Sequence, residues 1–259
     1  MTGLLRLLER HVAGEPGVWH VVRVPGEAEE EARHLHRVRE TLQQERTRVI
    51  NRLHGLLTTQ GLQLPLHADF LERLATARRW DATPLPPGMA QRLQWVWAHL
   101  EFLTTQLAAV DAARPALRVD AATTTGRWVT RLQTLRGIGS VGAWSLTTEI
   151  FGWRAIRNGR ELGALVGVVP APYQSGATAH DQGITRAGNR HVRRMVVQLA
   201  WSWLRYQPLS GLSRWYRERF DRRRRLRRIG IVALARKLLI AWWRYGEAGI
   251  IPEGAVLKA

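Results

Sequence analysis

The sequence predicts a mainly α-helical protein, in which a long antiparallel helical pair is followed by a compact helical domain. Apolar residues recur at three- and four-residue spacing over residues 27–56 and again over residues 93–110. Most of the 12 tryptophans lie within residues 127–246, which indicates a separate packed core there. Prolines are concentrated in the connections between these regions.

The composition indicates a folded protein with a polyanionic partner. A chain of 259 residues with 45% hydrophobic residues is long and apolar enough to bury a core. A formal charge of +18 favours nucleic acid, because neutralising phosphates releases counterions. A ribosomal or membrane-surface protein is the alternative. The absence of cysteine excludes disulfides, thiolate zinc sites and cysteine catalysis.

Neither a membrane segment nor a metal site is predicted. The N-terminus lacks the long apolar core and cleavage site of a secretory signal, so a cytoplasmic protein is expected. The apolar stretch of residues 229–243 is too short to span a bilayer and contains Arg236 and Lys237. His34 and His36 are two residues apart on a predicted helix, so they do not share a face.

Residues 1–25 form the first predicted region. Leu4 to Leu8 are expected to be helical, and residues 19–25 are expected to form one short strand. One isolated strand cannot form a sheet. Either it docks on another segment, or the domain begins upstream of Met1.

Residues 26–114 are predicted to form the helical pair, with the character of a coiled coil. No proline occurs between Pro25 and Pro65, so the first repeat can be one long helix. The proline-containing connection to the second repeat is expected to hold a short helix near residues 68–78. The pairing could form within one chain or make a dimer.

The remaining boundaries follow from composition. Residues 115–126 resemble a linker, residues 127–246 form the predicted helical domain, and the tail of residues 247–259 has no clear pattern.

Two glycines mark a candidate phosphate-binding hairpin. Gly137 and Gly139 flank Ile138 between two apolar helical segments. Glycines allow a tight turn and a close approach to phosphate, and the helix that follows offers free N–H groups. This arrangement is typical of a helix-hairpin-helix that binds DNA. An ordinary turn inside a core is the alternative.

Ser175 is a candidate nucleophile. It precedes Gly176 in what is predicted to be a polar loop, and glycine there would let a phosphate approach. A serine hydroxyl reacts only when a base or a cationic site activates it. The nearby side chains that could help are His180, Arg186, Arg190, Arg193 and Arg194. A serine beside glycine is, alternatively, an ordinary turn.

Two further basic segments are candidate nucleic-acid contacts. Gly188-Asn189 is predicted to cap a helix whose first turns carry Arg190, Arg193 and Arg194, where phosphate is favoured. Between residues 214 and 228 there are nine arginines and three interleaved aromatic residues, a composition that suits backbone contact and base stacking. Its densest part is Arg222, Arg223, Arg224 and Arg225. A solvated basic surface is the alternative for both.

Several of these segments together resemble one family. The resemblance rests on the ordered series Leu135–Gly139, Glu149-Ile150, Gly167–Pro170, Gln174–Gly176 and Gly183–Arg190. Residues 22–25, 45–48 and 51–53 extend it over nearly the whole chain. This series is similar to that of the IS110-type (IS116/IS110/IS902) insertion-sequence transposases, which are guide-RNA-directed recombinases of bacterial mobile elements.

The resemblance implies a mechanism. Family members join a RuvC-like domain, whose carboxylates hold Mg²⁺, to a helical domain whose serine attacks DNA and forms a transient phosphoserine link. That serine corresponds to Ser175. The implied partners are DNA (element ends and target), a guide RNA, and a second copy or a full-length transposase.

One departure from the family is expected. The acidic residues are concentrated at the start of a helix, at residues 27–31, and make no metal site. Residues 1–25 resemble only the last helix and strand of the RuvC-like domain, so the magnesium ligands are expected to be absent from this chain. We therefore expect a transposase that is inactive alone.

A non-catalytic helix-hairpin-helix fragment that binds DNA or RNA is the main alternative. A weaker one is an RNA-binding scaffold that uses the tract of residues 222–228.

Overall fold

The computed structural model describes residues 2–18, 23–116, 123–175, 178–220 and 224–258. Helices dominate it, as the sequence predicts. The α-helices are α1 (Thr2–Val12), α2 (Glu27–Thr59), α3 (Phe70–Thr76), α4 (Pro87–Ala116), α5 (Thr124–Thr134), α6 (Ser140–Leu146), α7 (Gly159–Val166), α8 (Arg190–Tyr206), α9 (Gly211–Phe220) and α10 (Arg224–Ala248). A π-helical segment, Thr147–Phe151, continues α6.

The helical pair forms within one chain. Ion pairing of Arg39 with Asp111, and a 3.3 Å hydrogen bond from Arg46 to Thr104, show that α2 and α4 run antiparallel. The first turn of α2 is rich in glutamate, and the carboxylate of Glu29 accepts the N–H of Gly26 at 2.8 Å. The predicted long helices are confirmed, whereas a coiled coil stays a prediction.

The short helix expected in the connection is also present. It is α3, and its Phe70 stacks on Trp97 of α4 with ring centroids 4.5 Å apart. This contact seals the end of the pair, where Leu53 and Leu93 are fully buried.

The N-terminal region is only partly described. The helix expected at Leu4–Leu8 lies within α1. Residues 19–22 of the expected strand are outside the described part of the chain, and residues 23–25 are not in a strand. The assignment of residues 1–25 to a RuvC-like domain stays a prediction.

The second core lies in the compact domain. Trp203 of α8 and Trp242 of α10 are fully buried, with ring centroids 6.0 Å apart, and α5, α6 and α7 pack around them. The predicted buried face of α8 is confirmed, since Val192, Val196 and Leu199 are buried. The 17 residues of α8 make it the axis on which the candidate sites are arranged.

One element differs from the sequence analysis. Ser175, expected with Gly176 in a polar loop, is instead the last residue of a strand: β1 (Pro170–Ser175) pairs antiparallel with β2 (Thr178–Ile184). Gly176 lies outside the described residues. The two strands were not predicted because the segment has no alternation of apolar residues. Its two prolines lie where the pairing register shifts, which fits their lack of an N–H.

A buried carboxylate joins the helical pair to the compact domain. Glu149, in the π-helical segment, is 2% exposed. Its two oxygens accept hydrogen bonds from Arg37 of α2 at 3.0 and 3.2 Å, and Arg33 lies 3.8 Å away. Asn189, which precedes α8, donates its side-chain N–H to the same carboxylate at 2.8 Å. Three parts of the fold therefore meet at one negative charge.

The surroundings keep this carboxylate ionised. Burial alone would raise the pKa of Glu149, but the hydrogen bonds from Arg37 and Asn189 and the charges of Arg37 and Arg33 lower it below its ordinary value of 4.5. A carboxyl whose pKa is lower in the folded state stabilises the fold above its unfolded pKa. That stabilisation is lost as the pH falls through the folded pKa.

Replacing this carboxylate should destabilise the protein. We expect Glu149→Gln to lower the free energy of unfolding by about 3 kcal/mol at pH 7, because two guanidinium groups lose their counter-charge. Urea unfolding from pH 7 to pH 3 measures it, and the variant should lose less stability below pH 4.5 than the wild type.

The matched control is Glu253→Gln, which removes an 83% exposed carboxylate paired with Arg214 and should change little. If the Glu149→Gln variant and the wild type have equal free energies of unfolding across this pH range, the role assigned to Glu149 is contradicted.

Candidate nucleic-acid interface

The glycine hairpin connects α5 to α6 and packs on the second half of α8. Gly137 has a φ of +95°, a conformation that favours glycine, and its carbonyl accepts the hydroxyl of Ser202 at 2.7 Å. Ile138 is buried beneath the turn. The two predicted helices around the hairpin are therefore present, and its contact with DNA stays a prediction.

Gly139 is open on all sides. It is exposed, its φ of −86° suits any residue, and a Cβ added there would have no atom within 4 Å. Neither backbone conformation nor packing requires glycine at this position. The main consequence of having no side chain at residue 139 is that a ligand atom can approach the backbone closely.

The C-terminal tail completes the hairpin, a feature that the sequence analysis missed. Lys258 donates its ammonium N–H to the carbonyl of Ile138 at 2.7 Å, and the N–H of Arg136 bonds to the carbonyl of Val256 at 3.2 Å. The tail thus places one more cation at the turn. No periodic pattern in residues 247–259 signals this contact.

Ser175 is the last residue of β1, where the chain turns back into β2. It pairs with Thr178 across the hairpin. The side chains of residues 172–182, His180 included, are outside the described part of the structure. The backbone position of Ser175 is therefore known, and its role as nucleophile stays a prediction.

The base of this β-hairpin is tightly clamped. Gly167 ends α7 with a φ of +71°, and Gly188 lies so close that an added Cβ would be 2.3 Å from the carbonyl oxygen of Leu165. Arg193 donates one guanidinium N–H group to the carbonyls of Val166 and Arg186, both at 3.1 Å. Arg193, predicted to contact nucleic acid, thus has a structural role as well.

The start of α8 agrees with its predicted cap. The Asn189 side chain accepts the N–H groups of His191 and Val192, at 2.9 and 3.2 Å. Arg194 forms an ion pair with Glu40 of α2, and the His191 ring bonds to the same carboxylate at 2.7 Å.

The other arginines predicted around this helix start are open. Arg190 and Arg186 are exposed, and Arg186 has a φ of +56°. In the part of the chain that is described, Arg190 and Arg186 are left free to meet a phosphate through their side chains.

The arginine tract surrounds the turn between α9 and α10. Arg222 and Arg223 lie outside the described residues, the side chain of Arg224 is not described, and Arg225 is exposed. Two cations lie over the ring of Trp215, which is on α9. The guanidinium of Arg219 is 5.5 Å from the ring centre, and the ammonium of Lys237 is 4.8 Å from it.

The glycine hairpin and the base of the β-hairpin lie at opposite ends of α8. Gly137 contacts Ser202, whereas Asn189 and the base of the β-hairpin lie near the start of the helix. The intervening 13 residues of helix correspond to roughly 20 Å.

No metal site is found in the described ranges. They contain no group of three or more histidine, aspartate or glutamate side chains that could hold an ion. These residues do not fit the magnesium site that the resemblance implies, so no chemical step is assigned to a metal. Among the same residues, no helix is long and apolar enough to cross a membrane.

Comparison with known proteins identifies the family. Residues 129–217 match the transposase model of the IS116/IS110/IS902 family. The Sinorhizobium fredii protein y4rJ, which bears the name of a transposase, is 39% identical over 98% of this chain and 67% of its own length. The transposase for IS1328 of Yersinia enterocolitica is 31% identical over 80% of this chain. The transposase for IS1111A of Coxiella burnetii is 29% identical over 78%.

The chain spans 60% and 55% of the latter two relatives. Its similarity to y4rJ nevertheless covers both the helical pair and the compact domain. The chain therefore belongs to the IS116/IS110/IS902 family of transposases.

Proposed function

We propose that this chain contributes the helical, serine-bearing part of a recombinase that cleaves and rejoins DNA at the ends of an insertion sequence. Its membership of a transposase family over nearly its whole length carries this proposal. The position of Ser175 at the end of β1 supports it, because a residue beside the turn of a hairpin can reach a large substrate.

The proposed chemical step is attack on phosphorus. The Ser175 hydroxyl oxygen forms a bond to the phosphorus of a DNA phosphodiester, and the hydroxyl proton passes to solvent or a neighbouring base. The bond from phosphorus to one sugar oxygen breaks, and that oxygen takes up a proton. The exposed side chains of Arg186 and Arg190 are candidates to stabilise the charge that develops on the phosphate.

DNA binding is proposed to use contacts at both ends of α8. Gly137 and Gly139 would bind one phosphate through the backbone, and Asn189, Arg190 and Arg194, at the start of α8, would contact another near the base of the β-hairpin. Because these two sets are roughly 20 Å apart along α8, they would contact different phosphates of one bound duplex. The arginine tract of residues 222–225 would add backbone contacts without sequence preference.

Further partners are proposed from the family resemblance. They are a guide RNA and a second copy of the chain or a full-length transposase. Magnesium, which the resemblance also implies, would require ligands other than the described residues.

The second candidate function is nucleic-acid binding without chemistry. The open backbone at Gly139 favours it, since this feature serves binding whether or not Ser175 reacts. The two functions differ in whether the Ser175 hydroxyl matters, and the following two experiments separate them.

Gly139→Ala should weaken nucleic-acid binding and leave the fold intact. The methyl group would meet no protein atom, but it would obstruct a phosphate at the backbone. We expect about tenfold weaker binding of a 20-base-pair duplex, as for the loss of one hydrogen bond of ~1.4 kcal/mol. Fluorescence anisotropy measures it.

Gly88→Ala is the matched control for this variant. Gly88 is also exposed, with nothing within 4 Å of an added Cβ, and it lies at the start of α4, away from the hairpin. Equal affinities of the two variants would argue against a phosphate at Gly139.

Ser175→Ala should abolish strand cleavage without weakening binding, because only the attacking oxygen is removed. Because the chain is expected to be inactive alone, it is produced in bacterial cells together with a full-length family transposase whose own nucleophilic serine is changed to alanine, and with a plasmid that carries the element and its flanks. Excision and a detergent-resistant protein–DNA adduct are then measured. Thr178→Ala, at the paired position of β2, is the control and should stay active.

Normal excision by the Ser175→Ala variant would exclude the proposed nucleophile. A wild-type chain that binds DNA but forms neither adduct nor excised product in the presence of that full-length partner would favour the binding function.

A further inference from the structure

A basic cleft lies at the end of α5 that is opposite the glycine hairpin. It has a volume of about 640 Å³ and opens between the start of α2, the start of α5 and the segment after the π-helical segment. Four arginines and two glutamates line it: Arg23, Arg127, Arg131, Arg154, Glu29 and Glu247. The cleft is lined by residues of α5 from Thr124 to Arg131, and none of residues 135–140 lines it, so it is a separate surface from the hairpin.

Two of the four arginines are already engaged. Arg23 forms an ion pair with Glu29 at 2.6 Å and also donates to the carbonyl of Trp153. Arg131 donates to the carbonyl of Gly246 at 2.7 Å. These contacts use most of the ion-pairing capacity of Arg23 and one donor of Arg131, and they fix the walls of the cleft.

Arg127 and Arg154 are the cations left over. Within the described residues, neither forms an ion pair with a carboxylate. Arg127 is exposed, and the hydrogen bond that its side chain forms within the described ranges is a long one, 3.4 Å to the hydroxyl of Thr124. Both side chains therefore keep donors for a ligand in the cleft.

Arg154 is half-buried and lies close to a second cation, Arg33. Its guanidinium lies 4.3 Å from the ring centre of Trp153, and Arg33 lies over the same ring at 5.3 Å. Arg33 faces Glu149, which also binds Arg37 and Asn189. Burial and then the charge of Arg33 lower the pKa of Arg154, opposed by Glu149 and Glu161. An anion in the cleft would offset this cost.

The other groups of the cleft suit a phosphodiester. Guanidinium groups bind phosphate through two parallel hydrogen bonds. The hydroxyls of Thr124 and Thr125 line the same space and can donate to phosphate oxygens. The buried rings of Trp128, Phe151 and Trp153 lie behind these polar groups and support the wall of the cleft.

We infer that this cleft binds a phosphodiester group of a nucleic-acid strand through Arg127 and Arg154. The inference rests on the proposed function, since that function makes nucleic acid the polyanion concerned. It adds a contact at the junction of the helical pair and the compact domain, which neither the glycine hairpin nor the start of α8 reaches.

The experiment compares salt dependence of binding. The full chain is titrated against labelled 20-base-pair DNA, and against single-stranded DNA and RNA of 20 nucleotides, between 50 and 200 mM salt. Each phosphate contact contributes about 0.9 to the slope of log affinity against log salt for duplex DNA. We expect Arg127→Ala to lower the slope in part and Arg127→Ala/Arg154→Ala to lower it by about one, since the two arginines share one phosphate.

The matched control is Arg48→Ala/Arg92→Ala, which removes two exposed arginines of the helical pair and keeps the same net charge as the double cleft variant. Its slope should stay near that of the wild type. Arg154→Lys should keep the slope and lower the affinity, because lysine lacks the planar fork. Arg127 is exposed, so Arg127→Ala tests the cleft even if the change at residue 154 disturbs folding.

The outcomes are distinct. A smaller slope in the cleft variants alone supports the inference. The nucleic acid whose slope falls most identifies the kind of strand that is bound there. If the slopes are unchanged, or if the control pair loses as much slope as the cleft variants, the inference that the cleft binds a phosphate is overturned. The proposed function is not affected by that result. A wild-type chain that binds none of the three nucleic acids overturns both.

Discussion

The buried carboxylate of Glu149 is the constraint on which the relation between the two cores depends. A single charge in an apolar core is costly unless it is fully paired, and here the pairing groups come from α2 and from the cap of α8. Because the partners are far apart in sequence, satisfying the charge fixes where the helical pair meets the compact domain. Arg33, which lies 3.8 Å from the same carboxylate, also lies over the ring of Trp153. Arg154 lies over that ring as well and is the cation that faces the basic cleft.

The start of α8 links this junction to the candidate nucleophile. Asn189 caps α8 with its side-chain oxygen and binds Glu149 with its side-chain nitrogen, so one side chain serves both. Four residues later, Arg193 holds the two ends of the β-hairpin together. A change in the position of α2 would therefore act on the base of the hairpin that carries Ser175, through rigid helical contacts rather than through a loop.

The spacing of apolar residues predicted those helices whose buried face can be recognised from neighbouring residues in the sequence. The spacing of Val49 and Leu53 predicted a face of α2, and asparagine before an apolar run predicted the cap of α8. The β-hairpin was missed because prolines and polar residues hide its pairing. The role of Glu149 was missed because its partner Arg37 is 112 residues away, and nothing near a lone glutamate in an apolar segment signals such a contact.

The distribution of charge explains why the candidate contacts are dispersed. Many basic side chains stabilise the fold, as Arg37, Arg39 and Arg194 do with Glu149, Asp111 and Glu40. With 39 basic and 21 acidic residues, however, 18 cations would remain even if every acidic group neutralised one. Exposed or unpaired arginines of the described chain lie at both ends of α8, near the α9–α10 turn, in the cleft beside α5, and on the helical pair, as at Arg48 and Arg92. Such a dispersed surplus matches an extended polyanion, since a compact anion could neutralise only one of these surfaces at a time.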